Sequence, residues 1–74
     1  MEAEQDAARS MQELKALLEY LVKHNQDHAA ELADLAARAQ VLGKMDAYKH
    51  LVTGIDLLKD SNESLSKALT ALDG

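Results

Sequence analysis

Two runs of apolar residues at alternating spacings of three and four restrict this sequence to helices that pack side by side. The first run extends from Met11 to Leu42, and the second extends from Tyr48 to Leu72. This spacing gives each helix one apolar stripe, here called its seam, which packs against another helix at a shallow angle. Gly43 lies between the runs, where glycine commonly ends a helix. The pattern predicts an all-α chain with helices over about residues 11–42 and 45–72.

The register of the two seams predicts which residues meet. A short connection at Gly43 makes the helices antiparallel, so that Leu32 faces Ile55. The same register places Asn25 opposite Asn62, and these are the positions where an asparagine interrupts each run. The first seam is predicted to comprise Met11, Leu14, Leu18, Leu21, Asn25, His28, Leu32, Leu35, Ala39 and Leu42.

The predicted interior therefore contains one polar layer, formed by Asn25, His28 and Asn62. A buried asparagine pair fixes the register and oligomeric state of a helical bundle at a cost in stability. The leading interpretation is a structural layer, and a ligand-binding role for these three side chains is the alternative.

An antiparallel helical hairpin leaves apolar side chains of both helices uncovered. Small residues recur at every seventh position beside the second seam, at Ala47, Gly54, Ser61 and Ala68. Small residues allow helices to approach closely, so two hairpins are expected to pair as a homodimeric four-helix bundle. The alternative is a three-helix bundle with a break near residues 60–62, because Asp60–Ser64 is poor helix-forming sequence.

Composition narrows the classes of protein and the compartment. The 74 residues form a single domain over 10–74, preceded by residues 1–9 as a frayed or helical extension. There is no cysteine, which excludes disulfides and thiolate metal sites. A formal charge of −5 without a basic patch argues against nucleic acid and anionic membranes. No apolar run is long enough to span a bilayer, and the expected compartment is the cytoplasm.

His24 and His28 are the residues with the clearest potential for chemistry. They are four positions apart and therefore lie about one turn apart on the same side of the helix. Two imidazoles at this spacing can bind one metal ion, with Zn or Ni as the expected metals. The antiparallel register brings Glu63 towards His24, so His24, His28 and Glu63 form the candidate metal site.

The sequence favours a binding or interaction module over an enzyme. The serines lack a glycine elbow, and the glycines at 43, 54 and 74 stand alone rather than in a phosphate-binding loop. The leading prediction is a small non-enzymatic helical module whose protein partner is unknown. The alternative is a metal-binding protein that uses the His24 and His28 pair.

Residues 18–31 resemble the H-N-x-x-H-A-x-E segment of a small family of uncharacterised α-helical proteins. Two later segments extend the resemblance, Leu42-Gly43 and Asn62-Glu63-Ser64-Leu65, so that it covers about residues 14–72. The resemblance implies an α-helical hairpin without an assigned function, and its motif residues here are His24, Asn25, His28, Asn62 and Glu63. Relatives are expected to carry a tryptophan shortly before the first histidine, where this chain has only Tyr20.

Overall fold

The computed structural model describes residues 2–73, with side chains from residue 9 onward. It contains two α-helices, α1 (Glu2–Val41) and α2 (Met45–Asp73), which confirms the predicted helical hairpin. The helix α1 begins at Glu2 rather than at about residue 11. The helix α2 continues without interruption through Asp60–Ser64, so the three-helix alternative is wrong. Neither helix is long and apolar enough, within the described residues, to cross a membrane.

The turn between the helices is built around Gly43, which has a φ of 73°. The amide of Lys44 donates to the carbonyl of Ala39 at 2.9 Å, and the amide of Gly43 donates to the carbonyl of Gln40 at 3.0 Å. These two bonds form a Schellman motif, in which a left-handed residue satisfies carbonyls at the end of a helix. The carbonyl of Lys44 accepts from the amide of Tyr48 at 2.9 Å. The second helix therefore starts within a few residues of the end of the first. Because the connection is so short, the two helices are antiparallel.

The open end of the hairpin is joined by an ion pair between the two helices. Nζ of Lys15 lies 2.8 Å from Oδ1 of Asp73, and both side chains are largely exposed. The hydrogen bond to Asp73, together with its charge, raises the pKa of Lys15. This contact joins the two helices at the end opposite Gly43.

The side of α1 that contacts α2 differs from the predicted seam. We call a position sheltered when its residue is buried or partly buried. The sheltered positions on α1 are Lys15, Leu18, Val22, Asn25, Ala29, Leu32, Ala36 and Ala39. They keep the spacing of three and four, but the positions are shifted by one residue along part of the helix. Lys15, Val22, Ala29 and Ala36 replace the predicted Leu14, Leu21, His28 and Leu35, and the predicted Met11 and Leu42 are exposed. On α2 the residues of the second run are all sheltered, as predicted: Tyr48, Leu51, Ile55, Leu58, Asn62, Leu65, Leu69 and Leu72.

The physical reason is the width of the apolar stripe on α1. A stripe wider than a two-residue seam can turn either of its edges towards a single neighbour. The edge with alanines at 29 and 36 faces α2, because small side chains let the two helix axes approach closely. The leucines of the other edge remain outside the contact, where Leu21 is 42% exposed and Leu35 is 46% exposed.

The contact between two helices makes a thin interior. Among the described side chains, Ala36 and Ile55 are the buried hydrophobic residues and Asn62 is the buried polar one. The hairpin measures 62 × 16 × 13 Å and has a radius of gyration of 17.6 Å. A compact globular chain of this length has a radius of gyration near ~11 Å. The elongated shape leaves long faces of both helices uncovered.

Candidate functional site

The asparagine layer lies at the middle of the contact between α1 and α2. Nδ2 of Asn25 donates to Oδ1 of Asn62 at 3.2 Å. Nδ2 of Asn62 donates to the backbone carbonyl of Val22 at 3.1 Å. The structure thus joins the two asparagines that the sequence places in one layer, and the buried Asn62 uses both its amide oxygen and its amide nitrogen. A layer satisfied in this way keeps the cost of burying polar groups low.

A groove of about 500 Å³ opens beside this layer, on one side of the hairpin. Its wall on α1 includes Gln26, Ala30 and Ala33, and its wall on α2 includes Lys59 and Glu63. Asn25 and Asn62 reach into the groove from the seam. Each of these five wall residues directly follows a sheltered position in the sequence.

The opposite side of the hairpin consists of the residues that precede the sheltered positions by one. In an antiparallel pair of helices, the residues that precede the contact positions lie on the same side of the pair in both helices. The apolar members form what we call the leucine face: Leu14, Leu17, Leu21 and Leu35 of α1 with Leu57 of α2. These five leucines are between 42% and 64% exposed, with Leu21 at the lower limit and Leu57 at the upper.

His24 and His28 lie within the leucine face, between Leu21 and Leu35. Their Nε2 atoms are 2.8 Å apart, and their rings meet edge to face with centroids separated by 4.2 Å. At this distance one ring donates its Nε2 proton to the unprotonated Nε2 of the other. The pair therefore holds two imidazole nitrogens directed at one point on an exposed surface.

Two neighbours on the same helix hold the histidine rings. The ring of Tyr20 stacks on His24, with centroids 5.5 Å apart and planes 14° apart. Nδ1 of His28 lies 3.4 Å from Oε2 of Glu31, so the carboxylate faces this ring nitrogen. Neither Tyr20 nor Glu31 is among the residues predicted to form a site. Their spacings of four and three from the histidines are the signal that predicts both contacts.

The predicted set of His24, His28 and Glu63 does not come together within one chain. Glu63 lines the groove and lies 3.7 Å from Nζ of Lys67, whereas the histidines lie on the leucine face. Within the described residues, no group of three histidine, aspartate or glutamate side chains is arranged to hold a metal ion. His28 also departs from the predicted polar layer, because its side chain is 49% exposed. Rotation of the α1 seam towards Val22 and Ala29 moved it out of the interior.

The fold and this surface define the class of protein: an all-α antiparallel hairpin with one polar layer and one uncovered apolar face. The chain belongs to the family described as a domain of unknown function (DUF8180), which matches residues 14–72. This match is consistent with the predicted resemblance to an uncharacterised family. No curated protein and no solved structure matches the chain.

Proposed function

We propose that this chain is a non-enzymatic interaction module that works as a homodimer, with two hairpins joined through their leucine faces into a four-helix bundle. The main support for the proposal is the large accessible surface area of the single hairpin. The partner copy covers the exposed leucines, and the groove side of each hairpin stays outside. Support for a binding role rather than catalysis comes from the sequence, which has no cysteine and no glycine-rich loop.

The hairpin exposes much more surface than a stable monomer of its size. Its accessible surface is 5873 Å², whereas a compact monomer of this mass exposes about 4,500 Å². The excess is about 1,400 Å² for each chain. Burying that excess from both copies gives about 2,800 Å² of interface, which lies in the range of obligate homodimers. A second copy therefore restores the burial that the single hairpin lacks.

The distribution of charge supports the leucine face as the side that the second copy covers. Along the side of the leucine face, the charged residues that directly precede the sheltered positions are Glu31 and Arg38. On the groove side, the charged residues directly following sheltered positions are Glu19, Lys23, Lys49, Asp56, Lys59, Glu63, Lys67 and Asp73. Interface centres are depleted in charge relative to the remaining surface. The leucine face has the composition of an interface, and the groove side has that of a solvated surface.

Gly54 adds an independent observation on the α2 half of the leucine face. It lies inside α2, where glycine is less favourable than alanine by about 1 kcal/mol. A Cβ placed on Gly54 would meet nothing within 4 Å, so no contact inside the hairpin requires a glycine. A helix of a second copy that crosses closely at this point provides such a requirement.

The molar mass of the purified full chain in solution tests the proposal. We expect about twice the chain mass of 8.1 kDa by sedimentation equilibrium at micromolar concentration. Leu21→Glu places a charge in the leucine face and is expected to give a monomer. Val41→Glu is the matched control, because Val41 is 86% exposed and lies away from that face. A wild-type monomer at all concentrations, or equal effects of the two substitutions, would contradict the proposed dimer.

A further inference from the structure

The His24 and His28 pair has the geometry of half a metal site. Both side chains are exposed, and their Nε2 atoms converge to 2.8 Å. Two nitrogen ligands of a tetrahedral zinc ion lie about 3.3 Å apart, given Zn–N bonds of 2.0–2.1 Å. Small rotations of the two rings open the pair by the required ~0.5 Å. The rings can then direct two lone pairs at one ion in place of the hydrogen bond between them.

The carboxylate of Glu31 orients the ring of His28 for metal binding. Histidines that bind metal usually direct their second ring nitrogen at a carboxylate, which fixes the tautomer and the ring orientation. Oε2 of Glu31 lies 3.4 Å from Nδ1 of His28, which favours a proton on Nδ1 and a free lone pair on Nε2. Tyr20 limits the rotation of the other ring by stacking on His24.

One chain provides only two of the ligands that a zinc site needs, which is three or four. No third donor joins the pair among the described residues, and Glu63 lies on the groove side. The missing ligands must therefore come from outside the hairpin. A second copy is the source that brings identical side chains to the same place.

The position of the histidine pair along α1 allows a twofold dimer to bring the pairs of both copies together. The paired part of the hairpin extends from the Lys15–Asp73 contact to the turn at Gly43, and His28 lies near the middle of this length on α1. A twofold axis parallel to the helices keeps each residue level with its copy. A perpendicular axis does so at the midpoint of the contact. In either arrangement the two histidine pairs come to the same level in the interface.

We propose that the homodimer binds one zinc ion in its interface through four imidazoles, His24 and His28 of each copy. This inference rests on the dimer of the proposed function. Neutral imidazole nitrogen suits zinc, and it also suits nickel and cobalt. Zinc held between the copies stabilises the dimer over the monomer, because the complete set of ligands exists only in the dimer.

Zinc titration of the metal-stripped full chain tests the site, with calorimetry for stoichiometry and cobalt absorption for geometry. We expect one zinc per two chains, and the visible bands of tetrahedral cobalt. His24→Gln and His28→Gln each remove two of the four ligands and should abolish saturable micromolar binding. Glu31→Gln should weaken zinc binding by about tenfold, because it removes the orienting carboxylate. His50→Gln, at an exposed histidine of α2, is the matched control and should bind as wild type.

The molar mass with and without zinc separates the two proposals. A dimer that binds no zinc, or that binds it equally after His28→Gln, overturns the metal site and leaves the dimer intact. One zinc per chain overturns the shared site. A chain that is monomeric without zinc and dimeric with it supports the shared site but contradicts a dimer held by leucines alone. A monomer under both conditions overturns both proposals.

Discussion

The side-chain amide of Asn25 donates a hydrogen bond to the amide oxygen of Asn62, across 3.2 Å at the middle of the helix contact. Asn62 is 9% exposed and also donates to the carbonyl of Val22. Its polar atoms therefore depend on partners from α1. Asn25→Ala should destabilise the hairpin by about 1–3 kcal/mol, because it leaves the buried oxygen of Asn62 without a donor. Urea unfolding followed by circular dichroism measures this loss.

The double variant Asn25→Leu with Asn62→Leu tests whether the layer provides specificity. Removing both polar groups should raise the stability by on the order of 1 kcal/mol, while the protein loses its single oligomeric state. Sedimentation velocity should then show a mixture of species. Gln26→Leu is the control, since Gln26 is an exposed neighbour of Asn25. A more stable variant with the wild-type oligomeric state would reject the specificity role.

Gly43 is required for its backbone conformation rather than for space. Its φ is 73°, and a Cβ there would meet nothing within 4 Å. Gly43→Ala should therefore cost about 1–2 kcal/mol through left-handed strain alone. Gly43→Asn should cost less, because asparagine tolerates this region better. Equal stability of the alanine variant and the wild type in urea would show that the turn adopts another conformation.

Gly54 is expected to respond in the opposite way when the hairpin is alone. In the Leu21→Glu background, Gly54→Ala should stabilise the chain by about 1 kcal/mol, because alanine favours the helix. In the wild-type background this gain should be reduced or reversed, because the added methyl group meets the second copy. Thermal unfolding of the four variants measures the difference. The same gain in both backgrounds would place Gly54 outside the interface.

The Lys15–Asp73 pair gives a prediction for pH and salt. Hydrogen bonding to Asp73, and its charge, raises the pKa of Lys15 above the ordinary value of 10.5. The ion pair contributes fully to the free energy of unfolding at pH values below 10.5. This contribution disappears as the pH rises through the higher pKa of Lys15 in the folded state. Asp73→Asn should lower the melting temperature slightly at pH 7 in dilute buffer. The difference should vanish in ~1 M NaCl, because the pair is exposed and screened. A difference that persists in high salt would require another role for Asp73.

Much of the architecture could be predicted because helix packing follows a local repeat. The spacing of three and four defines each helix, and Gly43 defines the turn between them. These features predict the hairpin, the continuous α2 and the register that joins Asn25 to Asn62. The register is predictable because each step along a helix advances both seams by the same distance.

The orientation of α1 about its own axis could not be predicted in the same way. Its apolar stripe has a leucine edge with Leu21 and Leu35 and an alanine edge with Ala29 and Ala36. Periodicity assigns both edges to one stripe and does not rank them. The ranking depends on how closely two helices can approach, which the side chains of α2 help to decide.

The sequence by itself determined the two helices, their turn and the level at which each pair of residues meets, because these depend on spacing along the chain. Only the tertiary structure decided which edge of α1 is covered. That choice placed His24 and His28 together on the leucine face, outside the contact with α2, while Glu63 lies on the groove side. A rotation of a helix about its axis changes the neighbours of every side chain without changing its level, and the balance of packing against α2 sets that rotation.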